Sequence, residues 1–418
     1  MINKKIFKSV AGFFVAVLSV TAINVYASDK AAEYQEAKAW CIAGEYPVTP
    51  ESPEWASMSY AECLEACKMP EEKLLDISTE ELSEYVLEYP LLADILAFDT
   101  AEQAISHLSD TSNIFREFFS RENSTEILLE KYDLLNVDYE LLSHSSSDNP
   151  MTESGYTKEL FLQTFFVYSL NELSDYEENY LIQIMNDKYT AKNGFCEDYS
   201  TSLLFYELVE RNYAYVPSNI VIDNASDLFE SLAASTGFTS AGLPSMELKN
   251  GAYYTLGKYT KYNCSSVCFR YDSGDLSSSE IENIDKVYAN EHPSWTKQYS
   301  ATKKYNCHSY AWLINLPSNI YWLNNPDPYA NSSSFDCNGT NCSANAGDII
   351  IIRENKYTSD GYSGATNALH SLIATSYGAG ITSIQTESKL GYAGVYTAPL
   401  YDMIIFYGGA SYNVYRRG

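Results

Sequence analysis

The strongest constraint on the fold of this chain is a short apolar helix, predicted to begin at Cys307, that is followed along the sequence by strand-like runs. Cys307, Tyr310, Ala311 and Ile314 recur at helical spacing, and Pro317 ends the pattern. The apolar, β-branched runs that follow, separated by turns that contain glycine, are Asp348–Arg353, Leu369–Thr375, Ile381–Ser388 and Tyr401–Tyr407. This order predicts an α+β fold in which one helix packs on an antiparallel sheet.

The first half of the chain has a different pattern, with successive amphipathic helices. Thr79-Glu80-Glu81-Leu82 and Thr100-Ala101-Glu102-Gln103 are typical of capped helix starts. We therefore expect an N-terminal helical domain before the α+β domain. The expected boundaries are a leader at 1–27, a cysteine-bearing lead-in and helical domain at 28–142, a linker and further helices at 143–215, an irregular connector at 216–254 and the α+β domain at 255–418.

The leader has the pattern of a secretory signal peptide. Lys4, Lys5 and Lys8 precede an apolar run, and Ala27 ends a small-residue cleavage site. Cleavage there predicts a secreted, extracellular bacterial protein with no membrane association afterwards; the alternative is a membrane anchor. The net charge is −28 at pH 7, and removing three lysines makes the remainder more acidic. Such a charge argues against nucleic acid as a partner.

The chain has nine cysteines: Cys41, Cys63, Cys67, Cys196, Cys264, Cys268, Cys307, Cys337 and Cys342. In an exported protein this odd number indicates four disulfides and one free thiol. Cys337 and Cys342 could close a small loop, and the remaining pairings stay open. Cys196 stands beside two acids and is interpreted as structural. Three residues separate Cys63 from Cys67 and Cys264 from Cys268, a spacing that does not favour a zinc site, so no metal and no cofactor are expected.

Cys307 is the best candidate for the free, reactive thiol. A helix N-terminus presents unpaired N–H groups and a partial positive charge that favour a thiolate, and Lys303 and Lys304 precede the cysteine. A cysteine nucleophile also needs a base. His370, within a predicted strand, is the natural one. His308 is adjacent to the cysteine in sequence, but neighbouring side chains on a helix diverge by about 100°.

The ordered set of Cys307, the Gly347-Asp348 turn and His370 resembles the papain-like cysteine peptidases, in the permuted branch of the NlpC and CHAP cell-wall hydrolases. The resemblance covers about residues 255–418. The run Tyr305-Asn306-Cys307-His308-Ser309-Tyr310-Ala311-Trp312 is similar to that of a bacterial subgroup of this branch. The subgroup's Trp-x-x-x-Pro loop and its Ser-Lys-Trp-Gly element are matched by Trp322–Pro326 and Ser388–Gly391, with Leu390 in place of the aromatic.

The resemblance implies that Cys307 is the nucleophile and His370 the base of a hydrolase that cleaves an amide bond. It also implies a third polar residue on the next strand, where Glu387 is preferred to Gln385 because a carboxylate best stabilises an imidazolium. The implied substrate is a peptidoglycan stem peptide, with peptide and isopeptide bonds as alternatives. Acyl transfer of the transglutaminase type would use the same groups. A noncatalytic extracellular binding or scaffold protein is the alternative from another class.

Overall fold

A computed structural model describes residues 40, 44–137, 150–193, 254–261, 264–270, 275–313, 315–319, 321–323, 325–331, 335–354, 357–358, 361–362, 368–409 and 411–417. The leader, Cys41, Cys196, the last part of the segment expected to hold further helices (194–215) and almost all of the connector lie outside these residues. Within them the fold is α+β, with a helical region (44–193) followed by a sheet region (275–417).

The helical region consists of short helices with local start signals. Its α-helices are α1 (Tyr60–Ala66), α2 (Glu71–Asp76), α3 (Thr79–Leu87), α4 (Ala101–Thr111), α5 (Asn113–Ser120), α6 (Ser124–Leu134), α7 (Pro150–Ser169) and α8 (Asp175–Asn193), and 3-10 turns span Trp55–Ser57 and Leu92–Ala97. Ser78 and Glu81 form a capping box at α3, and Thr100 caps α4 through the N–H of Gln103. Both predicted starts are confirmed, with the first cap one residue earlier than expected.

The sheet region contains α9 (Ser278–Glu291), α10 (Cys307–Trp312), α11 (Asp327–Ala330) and α12 (Leu400–Phe406). Its strands are β3 (Thr296–Tyr299), β5 (Phe335–Thr340), β6 (Ile349–Arg353), β9 (Ala368–Ala374), β10 (Gln385–Lys389), β11 (Val395–Pro399) and β12 (Ser411–Arg417). They form one antiparallel sheet in the order β3-β11-β10-β9-β6-β12-β5. Two smaller sheets are made by β1 (Tyr254–Lys261), β2 (Cys264–Arg270) and β4 (Tyr321–Leu323), and by β7 (Tyr357–Thr358) and β8 (Gly361–Tyr362).

The two faces of the large sheet are covered by different parts of the chain. Ile350 is paired with Leu372, and both belong to the core that the sheet shares with α12 and the helical region. Ile349 and Ile351 point to the other face and pack with Trp312 of α10. Because side chains alternate along a strand, each residue of β9 faces either the helical region or α10.

Three expectations about secondary structure are wrong. The run Tyr401–Tyr407, expected to be a strand, is helix α12, which begins after Pro399 and buries Leu400, Met403 and Phe406 at helical spacing. The cap of Ser277 with Glu280 starts α9, a helix that the strand-dominated interpretation of this region left out. The linker expected at the start of the segment 143–215, over Ser143–Ser154, gives way to α7 already at Pro150.

The expected disulfides are also wrong for the described cysteines. Cys63, Cys67, Cys307, Cys337 and Cys342 are all free. The predicted loop closure between Cys337 and Cys342 is not formed, and the thiol of Cys342 instead donates to the carbonyl of Gly339. The side chains of Cys264 and Cys268 lie outside the described part of the chain.

Candidate active site

Helix α10 begins at Cys307, as the sequence predicted. Asn306 is the N-cap: its backbone is extended, and its Oδ1 accepts from the N–H of Ser309 at 3.0 Å. The same oxygen accepts from the N–H of Leu323 in β4, and Nδ2 donates back to the carbonyl of Leu323. Asn306 therefore fixes both the start of α10 and its position against β4.

The thiol of Cys307 lies against the backbone of β9. The residue is 3% exposed. Burial raises its pKa well above the ordinary value and the charge of Asp99 raises it further, whereas the backbone N–H groups of Ser371 and His308 and the charge of Lys389 lower it. Burial wins, so Cys307 is a neutral thiol in this conformation. The two N–H groups that point at the sulfur are the donors a thiolate would need.

A gap in the sheet gives the sulfur access to Ser371. Strands β9 and β10 are paired only at Ala374 with Thr386 and at Ile373 with Glu387. The ladder ends before it reaches Ser371, so β10 does not occupy the N–H of that residue. Cys307 takes the place of the missing ladder partner.

His370 directly precedes Ser371 in β9, so the structure brings the predicted nucleophile and the strand of the predicted base together. The imidazole is 1% exposed and stacks on the ring of Tyr407, with centroids 3.8 Å apart and planes at 14°. Its pKa is lowered well below the ordinary value by burial and also by the charges of His308 and Lys389. Nε2 is buried and has no hydrogen-bond partner among the described residues.

The side chain of His370 points to the face of the sheet opposite Ser371. His370 is paired with Ile352, which belongs to the core shared with the helical region. The hydroxyl of Ser371 faces α10, where it accepts from Nε1 of Trp312 at 3.1 Å and lies 2.8 Å from Nδ1 of His308. The imidazole of His370 and the hydroxyl of Ser371 therefore lie on opposite faces of β9, and among the described residues no hydrogen bond joins the imidazole to the thiol of Cys307.

The structure does not place Glu387 beside His370. Glu387 is opposite Ile373 and thus shares the α10 face, where its Oε1 accepts from the hydroxyl of Tyr310 at 2.6 Å. Gln385, the alternative, is two residues away on the same face and is exposed. Cross-strand neighbours share a face, so neither side chain reaches the imidazole across the sheet. The expected orientation of His370 by Glu387 has no support in this geometry.

His308 is not positioned as a base for Cys307. Burial lowers its pKa to about 4, an effect partly opposed by the charge of Asp327 and reinforced by that of Arg353. Its Nδ1 is engaged with the hydroxyl of Ser371. A neutral imidazole held in this way lines the site on the α10 side.

Asp99, which sequence reasoning missed, joins the site from the helical region. It is half-buried between the 3-10 turn and α4, and its Oδ2 accepts from Nδ2 of Asn306 at 2.9 Å. Burial raises its pKa to about 6, against the lowering effects of the Asn306 hydrogen bond and of Lys389. The sequence pattern gives no sign that an acid 207 positions away in the chain would bind Asn306.

Lys389 is a second unexpected charge. Its side chain is fully buried on β10, and Nζ donates to the carbonyls of Gly391 and Ala393. Nζ also lies 5.4 Å from the centre of the Tyr305 ring. Burial lowers the pKa of Lys389 to about 7, opposed by the nearby acids and Cys307.

Among the described residues, one cluster has the composition of a metal site, and it lies apart from Cys307. Asp94, Glu291 and His292 offer ligand atoms within 4.8 Å of one another. These groups already satisfy each other or the backbone: Nε2 of His292 is 2.7 Å from Asp94, and the N–H of Ala93 donates to Glu291. The geometry is that of a hydrogen-bonded network around the carboxylate of Asp94.

Comparisons with protein-family models, with curated proteins and with solved structures give no match. None of the described helices has the length and apolar character of a bilayer-spanning segment.

Proposed function

We propose that this chain is an exported cysteine hydrolase that cleaves an amide bond, with Cys307 as nucleophile and His370 as base. The observation that carries the proposal is the buried Nε2 of His370, which has no hydrogen-bond partner in the described part of the chain and belongs to the residue next to the N–H that contacts the sulfur of Cys307. An unsatisfied polar atom in a protein interior costs about 1–3 kcal/mol, and here the atom belongs to a histidine on the strand whose backbone contacts the thiol of Cys307.

The chemistry follows from these groups. Nε2 of His370 takes the proton of Cys307, and the thiolate attacks the substrate carbonyl. The N–H groups at the start of α10 face the resulting oxyanion. The imidazolium then gives its proton to the leaving amine, and water hydrolyses the thioester.

The pKa directions describe the resting state of such an enzyme. Burial favours the neutral forms of both groups, so the described pair is a thiol and an imidazole. Hydration or substrate binding at the site would shift the pair towards thiolate and imidazolium. A peptide, an isopeptide or a peptidoglycan stem peptide supplies the amide bond that this pair could attack.

The burial of Cys307 favours a second candidate, a noncatalytic extracellular protein in which the thiol is structural. Competitive labelling separates the two, because Cys63 is equally buried at 3% exposure and burial raises its pKa to about 12. We expect limiting iodoacetamide, read by peptide mass spectrometry, to label Cys307 at least about tenfold faster than Cys63. Equal rates would favour the noncatalytic protein.

Substrate assays complete the test. Wild-type protein is compared with Cys307→Ala and His370→Gln on muropeptides and on small peptide amides, with and without an added amine. Release of a new carboxylate that both variants abolish supports hydrolysis, whereas incorporation of the amine supports acyl transfer. Activity retained by Cys307→Ala would overturn the proposal.

A further inference from the structure

Glu387 does not orient the imidazole of His370, because it lies on the opposite face of the sheet. A base acts efficiently only if its ring is held in one orientation. Tyr407 is the side chain in the described structure that lies flat against this ring, 3.8 Å away between centroids. It is 8% exposed, whereas His370 is 1% exposed.

The backbone of Tyr407 is fixed by the end of α12. Tyr407 is the C-cap, and Gly408 follows in the left-handed conformation with φ of 62°. The N–H of Gly408 donates to the carbonyl of Ile405, and the N–H of Gly409 donates to that of Ile404. These are the two hydrogen bonds of a Schellman motif, so the helix end is well determined.

The ring of Tyr407 is fixed by the helical region. Its hydroxyl donates to the carbonyl of Ala97 at 3.2 Å, and Phe98 packs against it edge-on with centroids 5.3 Å apart. Burial raises the pKa of Tyr407 well above its ordinary value, so the hydroxyl remains a donor. The connection runs from Ala97 to Tyr407 and from Tyr407 to His370.

We propose that Tyr407 is a positioning residue for His370, and that the helical region sets the orientation of the base through Tyr407. The inference rests on the proposed roles of Cys307 and His370. Ring stacking replaces the hydrogen bond from a third polar residue that the sequence predicted. It fixes the plane of the imidazole and leaves Nε2 free to accept the proton of Cys307.

The test uses the full chain and the pH midpoint of iodoacetamide labelling at Cys307, because a midpoint reports ionisation rather than access. Tyr407→Phe keeps the ring, and Tyr407→Leu removes it. The variant His370→Gln gives the midpoint of a site without its base. We expect His370→Gln to raise the midpoint by about one pH unit, a tenfold change in thiolate at a given pH. Tyr407→Leu should raise the midpoint as much as His370→Gln does. Tyr407→Phe, which keeps the stacked ring but loses the hydrogen bond to Ala97, should raise it by a smaller amount.

The outcomes separate the two proposals. If His370→Gln leaves the midpoint unchanged, the proposed function fails whatever Tyr407 does. If His370→Gln shifts it but Tyr407→Leu only lowers the melting temperature, Tyr407 is structural and this inference alone fails. Should Tyr407→Leu not fold, Tyr407→Met fills a similar volume without a ring and is measured in the same way.

Discussion

The described part of the chain buries histidines in two places, and their hydrogen bonding differs. In the first, which we call the Asp94 network, the carboxylate of Asp94 is the centre: the hydroxyl of Tyr60 donates to it at 2.8 Å, and Nε2 atoms of His292 and His107 lie 2.7 and 3.5 Å away. Burial raises the pKa of Asp94, but His292 and His107 lower it by more, so the net shift is downward. The network joins the helical region to the end of α9, and the side chains around Asp94 are hydrogen-bonded to its carboxylate.

The candidate site has the opposite character. His370 is as deeply buried as the Asp94 network, yet it is held by a ring stack and its Nε2 is unpartnered among the described residues. A satisfied network stabilises a fold, whereas an unsatisfied group costs stability and is retained where chemistry needs it. The comparison predicts that the two histidine clusters respond to mutation with different sign and size.

The largest effect is expected from breaking the Asp94 network at its centre. Asp94→Asn replaces an acceptor by an amide that cannot satisfy the same donors, and we expect a loss of about 3–5 kcal/mol in the free energy of unfolding. Denaturant titration measures it. The exposed Glu130→Gln should change stability by less than about 0.5 kcal/mol.

The contribution of Asp94 to the free energy of unfolding should also depend on pH. The folded pKa of Asp94 is below 3.8, so its contribution is present above that pH and is lost as the pH falls through the folded pKa. Asp94→Asn should therefore lose this acid-induced decline. A variant as stable as wild type at pH 7 would show that the network is not stabilising.

The second prediction compares the two histidines directly. His292→Leu leaves the buried carboxylate of Asp94 without its closest donor, and we expect a loss of about 2–4 kcal/mol. His370→Leu removes an unsatisfied nitrogen at the cost of a ring stack, so stability should be unchanged or up to about 1 kcal/mol higher. Paired melting curves test this; equal losses would remove the distinction between the clusters.

The third prediction concerns the contact between the helical region and the site. Gly391 has φ of 41°, and a Cβ there would lie 2.2 Å from the carbonyl oxygen of Leu96. Gly391→Ala should lower the free energy of unfolding by about 2–3 kcal/mol, because the new side chain strains the backbone and pushes the helical region away from the sheet region. Gly380→Ala, where a Cβ meets nothing within 4 Å, is the control. Labelling of Cys307 should accelerate in Gly391→Ala alone; unchanged labelling and stability would show that this contact does not close the site.

The parts of this architecture that sequence reasoning predicted depend on local signals. The start of α10 at Cys307 follows from apolar residues at helical spacing after a polar turn, and β6 and β9 follow from apolar runs of strand length. Tyr401–Tyr407 was assigned the wrong class because composition favoured a strand, while Pro399 and the spacing of its buried residues decided for a helix.

The missed parts of the site depend on register and long-range packing. Glu387 was a reasonable choice by chemistry, and only its pairing with Ile373 shows that it faces away from His370. Asp99 and Tyr407 come from segments that no spacing rule connects to Cys307. A one-residue change of register would exchange the faces, so a single sequence cannot fix which acid meets which base.

The smallest effect is expected from the charge at Lys389. Its folded pKa of about 7 lies below the ordinary 10.5, so between these values the unfolded chain binds more protons and stability rises with pH. The slope from one such group is at most about 1.4 kcal/mol per pH unit.

Lys389→Met should remove that slope between pH 7 and pH 9 in denaturant titrations. Lys68→Met, at a lysine whose side chain is 42% exposed, should retain it. If wild type and Lys389→Met have the same slope, Lys389 keeps its proton in the folded protein. The site would then hold a permanent positive charge near Cys307, and that charge would stabilise a thiolate without help from His370.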